Sequence, residues 1–175
     1  MNAAAEKIIA QLGLAPLPRE GGFFRRTWTS RARLADGRAA GSAIWFLLTP
    51  DSFSALHRLQ AEELWHFYAG DPVEHVQLFP QAQSPELVEG MDPAEGAVRV
   101  TVLGPPGRGR VPQLVVPGGV WQGARILSGA RPRGWALLGC TLAPAWDERD
   151  LVLGRRKSLL GKFPGERGRI TTLTR

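Results

Sequence analysis

His57 and Glu63 share the segment Ser54-Ala-Leu-His57-Arg-Leu-Gln-Ala-Glu62-Glu63-Leu-Trp65-His66-Phe-Tyr68-Ala-Gly70, and Gln122 follows the run Val116-Pro117-Gly118-Gly119-Val120-Trp121. An imidazole and a carboxylate facing one pocket support two kinds of chemistry. As a hydrogen-bonded acid and base they move protons: the carboxylate orients the ring and favours its charged form, while burial opposes that charge. As ligands they bind a divalent metal, with Gln122 and water completing the set. Glutamine is a weak, neutral ligand, so such a site holds zinc, iron or nickel poorly. A third role is simply to orient a bound molecule or to satisfy each other.

The elements that must position these groups are strands. Ser42 to Leu48 is an unbroken apolar run bounded by Gly41 and Pro50, as a strand buried on both faces would be. Phe23 to Thr29, Leu64 to Tyr68, Val73 to Phe79, Val98 to Leu103, Gln113 to Val116 and Trp135 to Leu142 read as further strands. Turn residues punctuate them at Glu20-Gly21-Gly22, Gly70-Asp71-Pro72 and Gly104-Pro105-Pro106-Gly107. The stretch from Pro80 to Gly96, rich in proline, glutamate and glutamine, reads as a long surface connection. Near the start, Ile8, Ile9, Leu12 and Leu14 give a helical stripe that ends at Pro16 and Pro18. Many short strands with one short N-terminal helix argue for an antiparallel barrel or sandwich.

Alternation along a strand puts Glu63, Trp65 and Phe67 on one face and Leu64, His66 and Tyr68 on the other. If Glu63 points inward, His66 points away and is structural or at a subunit interface. A bulge between Glu63 and Tyr68 would exchange those roles. His57 and Leu59 likewise share a face. His75, in Val73-Glu74-His75-Val76, reads as a solvated surface position. Cys140, the one cysteine, lies in the apolar run WALLGCTLA and reads as a buried, inert thiol. Phe46, Trp65 and Trp121 supply aromatic walls, Trp45 and Trp135 are further stacking candidates, and Ser54 is placed to hydrogen-bond a ligand. Nothing resembles a nucleophile elbow.

The two segments resemble the paired motifs of the cupin superfamily. His57 takes the first histidine of the first motif, Leu59 replaces the second, Glu63 stands at the glutamate and Gly70 at the closing glycine; Pro117, Gly119 and Gln122 take the proline, glycine and histidine positions of the second. The chain is most similar to the fifth cupin family, a cupin-like domain resembling sugar-nucleotide epimerases and seed storage proteins in fold. Glu20-Gly21-Gly22, Ile44 to Leu48, Ser54 to Gly70, Val116 to Gln122 and Leu138 to Pro144 carry that resemblance. It implies a mainly β fold, a cupin-type double-stranded β-helix or jelly-roll barrel, and a homodimer.

The whole, residues 1–175, reads as one cupin domain, with a helix and lead-in over 1–18, the barrel over 20–145 and a C-terminal extension over 146–175. Hydrophobic residues make up 43% and charged residues 22%, too apolar for a disordered chain. No apolar run approaches the roughly 18 residues of a membrane helix, and no signal sequence opens the chain, so the expectation is a cytoplasmic protein without a membrane partner. The net charge of +6 comes from scattered arginines without aromatic interleaving, which matches no nucleic-acid module. The leading reading is a barrel that binds a small polar metabolite, sugar-like or carboxylate-bearing, and isomerises or epimerises it through His57 and Glu63 with no cofactor. The alternatives are a metal-dependent oxygenase or lyase using His57, Glu63 and Gln122, and a non-catalytic ligand-binding or storage-like protein.

Overall fold

The computed structural model describes residues 1–80, 98–127, 129–130 and 132–175. The chain opens with α1 (Ala3–Leu12), whose first turn is capped by the Asn2 side chain accepting from the Ala5 amide and whose end is closed by Gly13 in the left-handed conformation. Twelve strands follow among the described residues: β1 (Ala15–Pro16), β2 (Phe23–Thr29), β3 (Ser42–Leu48), β4 (Ser54–Arg58), β5 (Glu62–Gly70), β6 (Val73–Leu78), β7 (Val98–Leu103), β8 (Arg110–Val111), β9 (Gln113–Val116), β10 (Trp121–Ile126), β11 (Ala136–Ala143) and β12 (Val152–Leu153). Two helices close the chain, α2 (Arg156–Lys162) and α3 (Arg167–Thr172).

The strands form two six-stranded sheets, in the orders β1-β2-β3-β11-β5-β9 and β12-β4-β10-β6-β7-β8. Pairing is antiparallel except between β7 and β8. The inner faces of the two sheets enclose a core that includes Phe46, Leu48, Trp65, Val73, Leu103, Val116, Ala124 and Leu138. This is a jelly-roll barrel, and it folds as alternation predicts: inward Glu63 and Trp65 are buried while Tyr68 is exposed. Pairing of β5 with β11 runs unbroken from Glu62 to Phe67 and slips only beyond it, so the outward assignment of His66 holds.

The outer face of the second sheet is sealed by the C-terminal helices, where Leu159, Phe163, Ile170 and Leu173 pack on Leu56, Val76, Leu78 and Trp121. Neither these helices nor β4 and β10 as separate strands figure among the elements expected from sequence. Strands of five and six residues of mixed polarity give little periodic signal, and packing supplies what propensity does not. The predicted surface connection, Pro80 aside, lies outside the described residues up to Gly96.

Gly21 fixes how the barrel mouth closes. Its φ is 103°, and a Cβ there would stand 2.3 Å from the Phe53 carbonyl oxygen, so only glycine lets the Glu20 turn lie against the start of β4. The Ala55 amide then donates to the Glu20 carbonyl at 2.9 Å, which brings Glu20 beside the histidine strand.

Candidate functional site

A cavity of about 410 Å³ opens at one end of the barrel. Its wall includes Glu20, Phe46, His57, Leu59, Glu63 and Cys140, and nearer the rim Arg26 and Trp146. That size is ordinary for a small-molecule site.

His57 projects inward from β4 and is 1% exposed. Its Nδ1 lies 2.8 Å from the Ala55 carbonyl oxygen. A carbonyl only accepts, so Nδ1 carries the hydrogen and Nε2 is the atom left to exchange a proton. Nε2 faces Glu20 Oε1 at 3.8 Å, and the same oxygen accepts from Ser54 Oγ at 3.2 Å. Protonation of His57 therefore meets a carboxylate already held in place.

Glu63 projects from β5 across the interior. Burial pushes its carboxyl up to about 7 from the usual carboxylate range; the Glu20 charge adds to that rise, while His57 and hydrogen bonds from Gln122 and Cys140 oppose it. Gln122 Nε2 donates to Glu63 Oε2 at 2.6 Å, and Trp65 Nε1 donates to Gln122 Oε1 at 2.9 Å. An indole N–H can only donate, so the amide oxygen must face Trp65 and the amide nitrogen must face Glu63. Cys140 lies beside the carboxyl, and burial pushes its thiol well above the usual range, as expected of an inert side chain.

That chain of donors bears on the metal that cupin motifs commonly hold. Gln122 presents nitrogen, not oxygen, toward Glu63, and Leu59 lines the cavity where a second imidazole would stand. The donor set of His57, Glu63 and Gln122 does not fit a resident divalent ion. Among the described residues no three histidine, cysteine or acidic side chains are grouped to hold one.

The remaining expected site residues separate. Phe46 is on the cavity wall. Ser54 is fully buried and serves Glu20 rather than open space. Trp65 is inward but sealed behind the wall, holding Gln122. Trp121 is not a pocket wall at all: it points out of the barrel, packs with the C-terminal helices and lies 5.0 Å under the Arg58 guanidinium. Its neighbour Gln122 points in, and adjacent strand residues cannot share a face. His66 is outward, 3.3 Å from Thr141 Oγ1 and stacked on Tyr68.

His75 corrects the expectation of a solvated position. It is 0% exposed, inside the barrel, with its ring centroid 4.8 Å from that of Trp65. Glu20, Arg26 and Trp146 are among the wall residues that the sequence did not mark as site groups. The glycine pair after Glu20 was the one available signal, since it marks a close backbone approach.

Comparison with known proteins accords with this architecture. A family model described as Cupin superfamily (DUF985) matches residues 6–154. A protein from Shewanella oneidensis is 29% identical with a TM-score of 0.82, covering 100% of this chain and 98% of its own. A hypothetical protein from Leishmania major is 30% identical, also at 0.82, over 97% of this chain and 98% of its own. A dTDP sugar isomerase from Desulfovibrio desulfuricans G20 shares the fold at 18% identity and a TM-score of 0.53, over 81% and 80% of the two chains. No curated protein matches. With the family model spanning most of its length, the chain belongs to the DUF985 family of the cupin superfamily.

Proposed function

We propose that this cupin binds a small polar metabolite, sugar-like or carboxylate-bearing, and isomerises or epimerises it by metal-independent proton transfer. The observation that carries the reading is the pair of proton-transfer groups, His57 and Glu63, on one cavity wall, each buried and each backed by a second polar residue. A carboxyl titrating near 7 supplies both of its protonation states at neutral pH, which general acid–base catalysis requires.

The substrate this chemistry needs carries a C–H next to a carbonyl. Unprotonated His57 Nε2 takes that proton, Glu20 stabilises the resulting imidazolium, and the electron pair moves onto the carbonyl oxygen, which takes the proton of Glu63 to give an enol. A proton returned to the opposite face of the carbon, with the enol proton going back to Glu63, completes an epimerisation; where that carbon carries a hydroxyl, a proton returned to the former carbonyl carbon, with the hydroxyl proton going to Glu63, completes an isomerisation. No atom is gained or lost and no oxidant is needed. The homodimer implied by the family belongs to the same proposal; Tyr68 and Val115, 53% and 48% exposed on the outer face of the first sheet, are the surface that favours it.

The test is solvent deuterium incorporation into ketose, aldose and keto-sugar nucleotide panels, followed by mass spectrometry. Wild type is expected to label a carbon next to the carbonyl, and His57→Ala and Glu63→Gln are each expected to lower that rate by roughly 10²- to 10⁴-fold. Ligand binding without labelling would leave the non-catalytic binding protein as the function. Labelling that survives both substitutions would remove these residues from the chemistry.

A further inference from the structure

Arg26 occupies a position where an apolar residue would be expected. Phe24 and Arg26 project from the same face of β2 onto the cavity wall, and their cross-strand partners Phe46 and Ile44 line that wall too. The guanidinium thus leaves the concave side of the barrel, not its outside. It ends 5.6 Å from the ring centroid of Trp146, another wall residue. That cation–π contact holds the guanidinium at the cavity wall and uses none of its N–H donors in a hydrogen bond.

Nothing in the protein takes that edge. Among the described residues the Arg26 side chain makes no hydrogen bond or ion pair, whereas its neighbours are engaged. Arg25 donates to the Leu12 carbonyl, Arg19 lies 3.6 Å from Glu148, and Arg38 lies 2.7 Å from Asp150. The acidic groups of the wall are likewise committed: Glu20 to His57 and Ser54, Glu63 to Gln122 and Glu148 to Arg19.

We propose that Arg26, held against Trp146 by that cation–π contact, binds an oxyanion of the ligand, a phosphate or a carboxylate, and so restricts the substrates of this cavity to anionic sugar-sized metabolites. The inference rests on the proton-transfer reading for what happens at the other end of the ligand, and it adds which end enters first. The planar fork matches two oxygens of either anion at once, which a point charge does not. The neutral, reacting end of the molecule then lies toward His57 and Glu63, away from the guanidinium.

Calorimetric titration with glucose 1-phosphate, glucuronate and glucose tests this on wild type, Arg26→Met, Arg26→Lys and Trp146→Leu, with thermal melts confirming that each variant folds. At least one anion is expected to bind tenfold or more tightly than glucose, and more weakly as salt rises. Arg26→Met should abolish the preference, Arg26→Lys should retain part of it, and Trp146→Leu should reduce it. Whichever anion leads distinguishes phosphate from carboxylate. Equal affinity for glucose, less than a twofold change in Arg26→Met, or no binding of either anion at tens of millimolar would each overturn the proposal. The two readings fail separately. Arg26-dependent binding with no deuterium labelling leaves the anion site standing without the chemistry, and labelling of neutral sugars unaffected by Arg26→Met leaves the chemistry without the anion site.

Discussion

Two histidines stand inside this barrel, 1% and 0% exposed, and their surroundings differ in everything but burial. His57 sits on an open cavity with one nitrogen fixed by a carbonyl and the other facing a carboxylate. His75 sits in the sealed half, edge-on to Trp65, and among the described residues neither of its nitrogens makes a well-formed hydrogen bond. Burial pulls its pKa down to about 3; the Gln122 amide opposes that fall and the His57 charge adds to it. A buried imidazole is therefore not a sign of function by itself. What separates the two is a carboxylate within reach and room for a ligand.

Activity should show the largest contrast. His57→Ala is expected to lose the 10²- to 10⁴-fold that a positioned acid–base group contributes, while His75→Leu, similar in size and without polar nitrogens, is expected to stay within twofold of wild type in the same labelling assay. Comparable losses in the two variants would show that the sealed half takes part in the reaction.

Stability against pH sharpens the comparison, because the two buried groups pull in opposite directions. Glu63 binds its proton more tightly folded than unfolded, so the stability it contributes is full below about 4.5 and is lost as pH rises toward 7. His75 binds its proton more weakly folded, so its contribution is full above about 6.5 and is lost as pH falls toward 3. Between about 4.5 and 6.5 the slopes cancel, each being roughly 1.4 kcal/mol per pH unit. Denaturant melts of wild type should be nearly level across that window. Between those limits Glu63→Gln should lose about 3 kcal/mol on acidification and His75→Leu should gain about 3 kcal/mol, so the two curves should diverge by roughly 5 to 6 kcal/mol. Parallel curves for the two variants would contradict the assigned environments.

The sequence displayed the barrel and half of its site. Alternation along β5 placed Glu63 inward and His66 outward without any structure, and the shared parity of His57 and Leu59 put a leucine where a ligand was needed. The same rule, applied to Trp121 and Gln122, excludes both from one pocket, so the outward Trp121 was legible once Gln122 was taken as inward. Glu20, Arg26 and Trp146 were not legible in this way. They reach the cavity from a turn, an edge-side strand and the segment after β11, three places whose convergence is set by long-range pairing, not by local pattern. His75 was hidden for a related reason: in β6 every residue is buried, so polar and apolar positions no longer report which face is wet.

The smallest expected effect tests the boundary between the two halves, where Trp65 reaches from the sealed side to the working side. It touches no cavity space, yet its N–H fixes the Gln122 amide and through it the carboxyl of Glu63. Trp65→Phe keeps most of the ring and removes the donor, leaving the Gln122 oxygen buried without a partner at a cost of about 1 to 3 kcal/mol. The amide is then free to turn. Its oxygen facing Glu63 would favour the protonated carboxyl, so the pH–rate profile should shift its Glu63-dependent limb upward, with kcat reduced and KM little changed. A purely structural Trp65 would lower the melting temperature and leave that limb in place, and the pH profile decides between them.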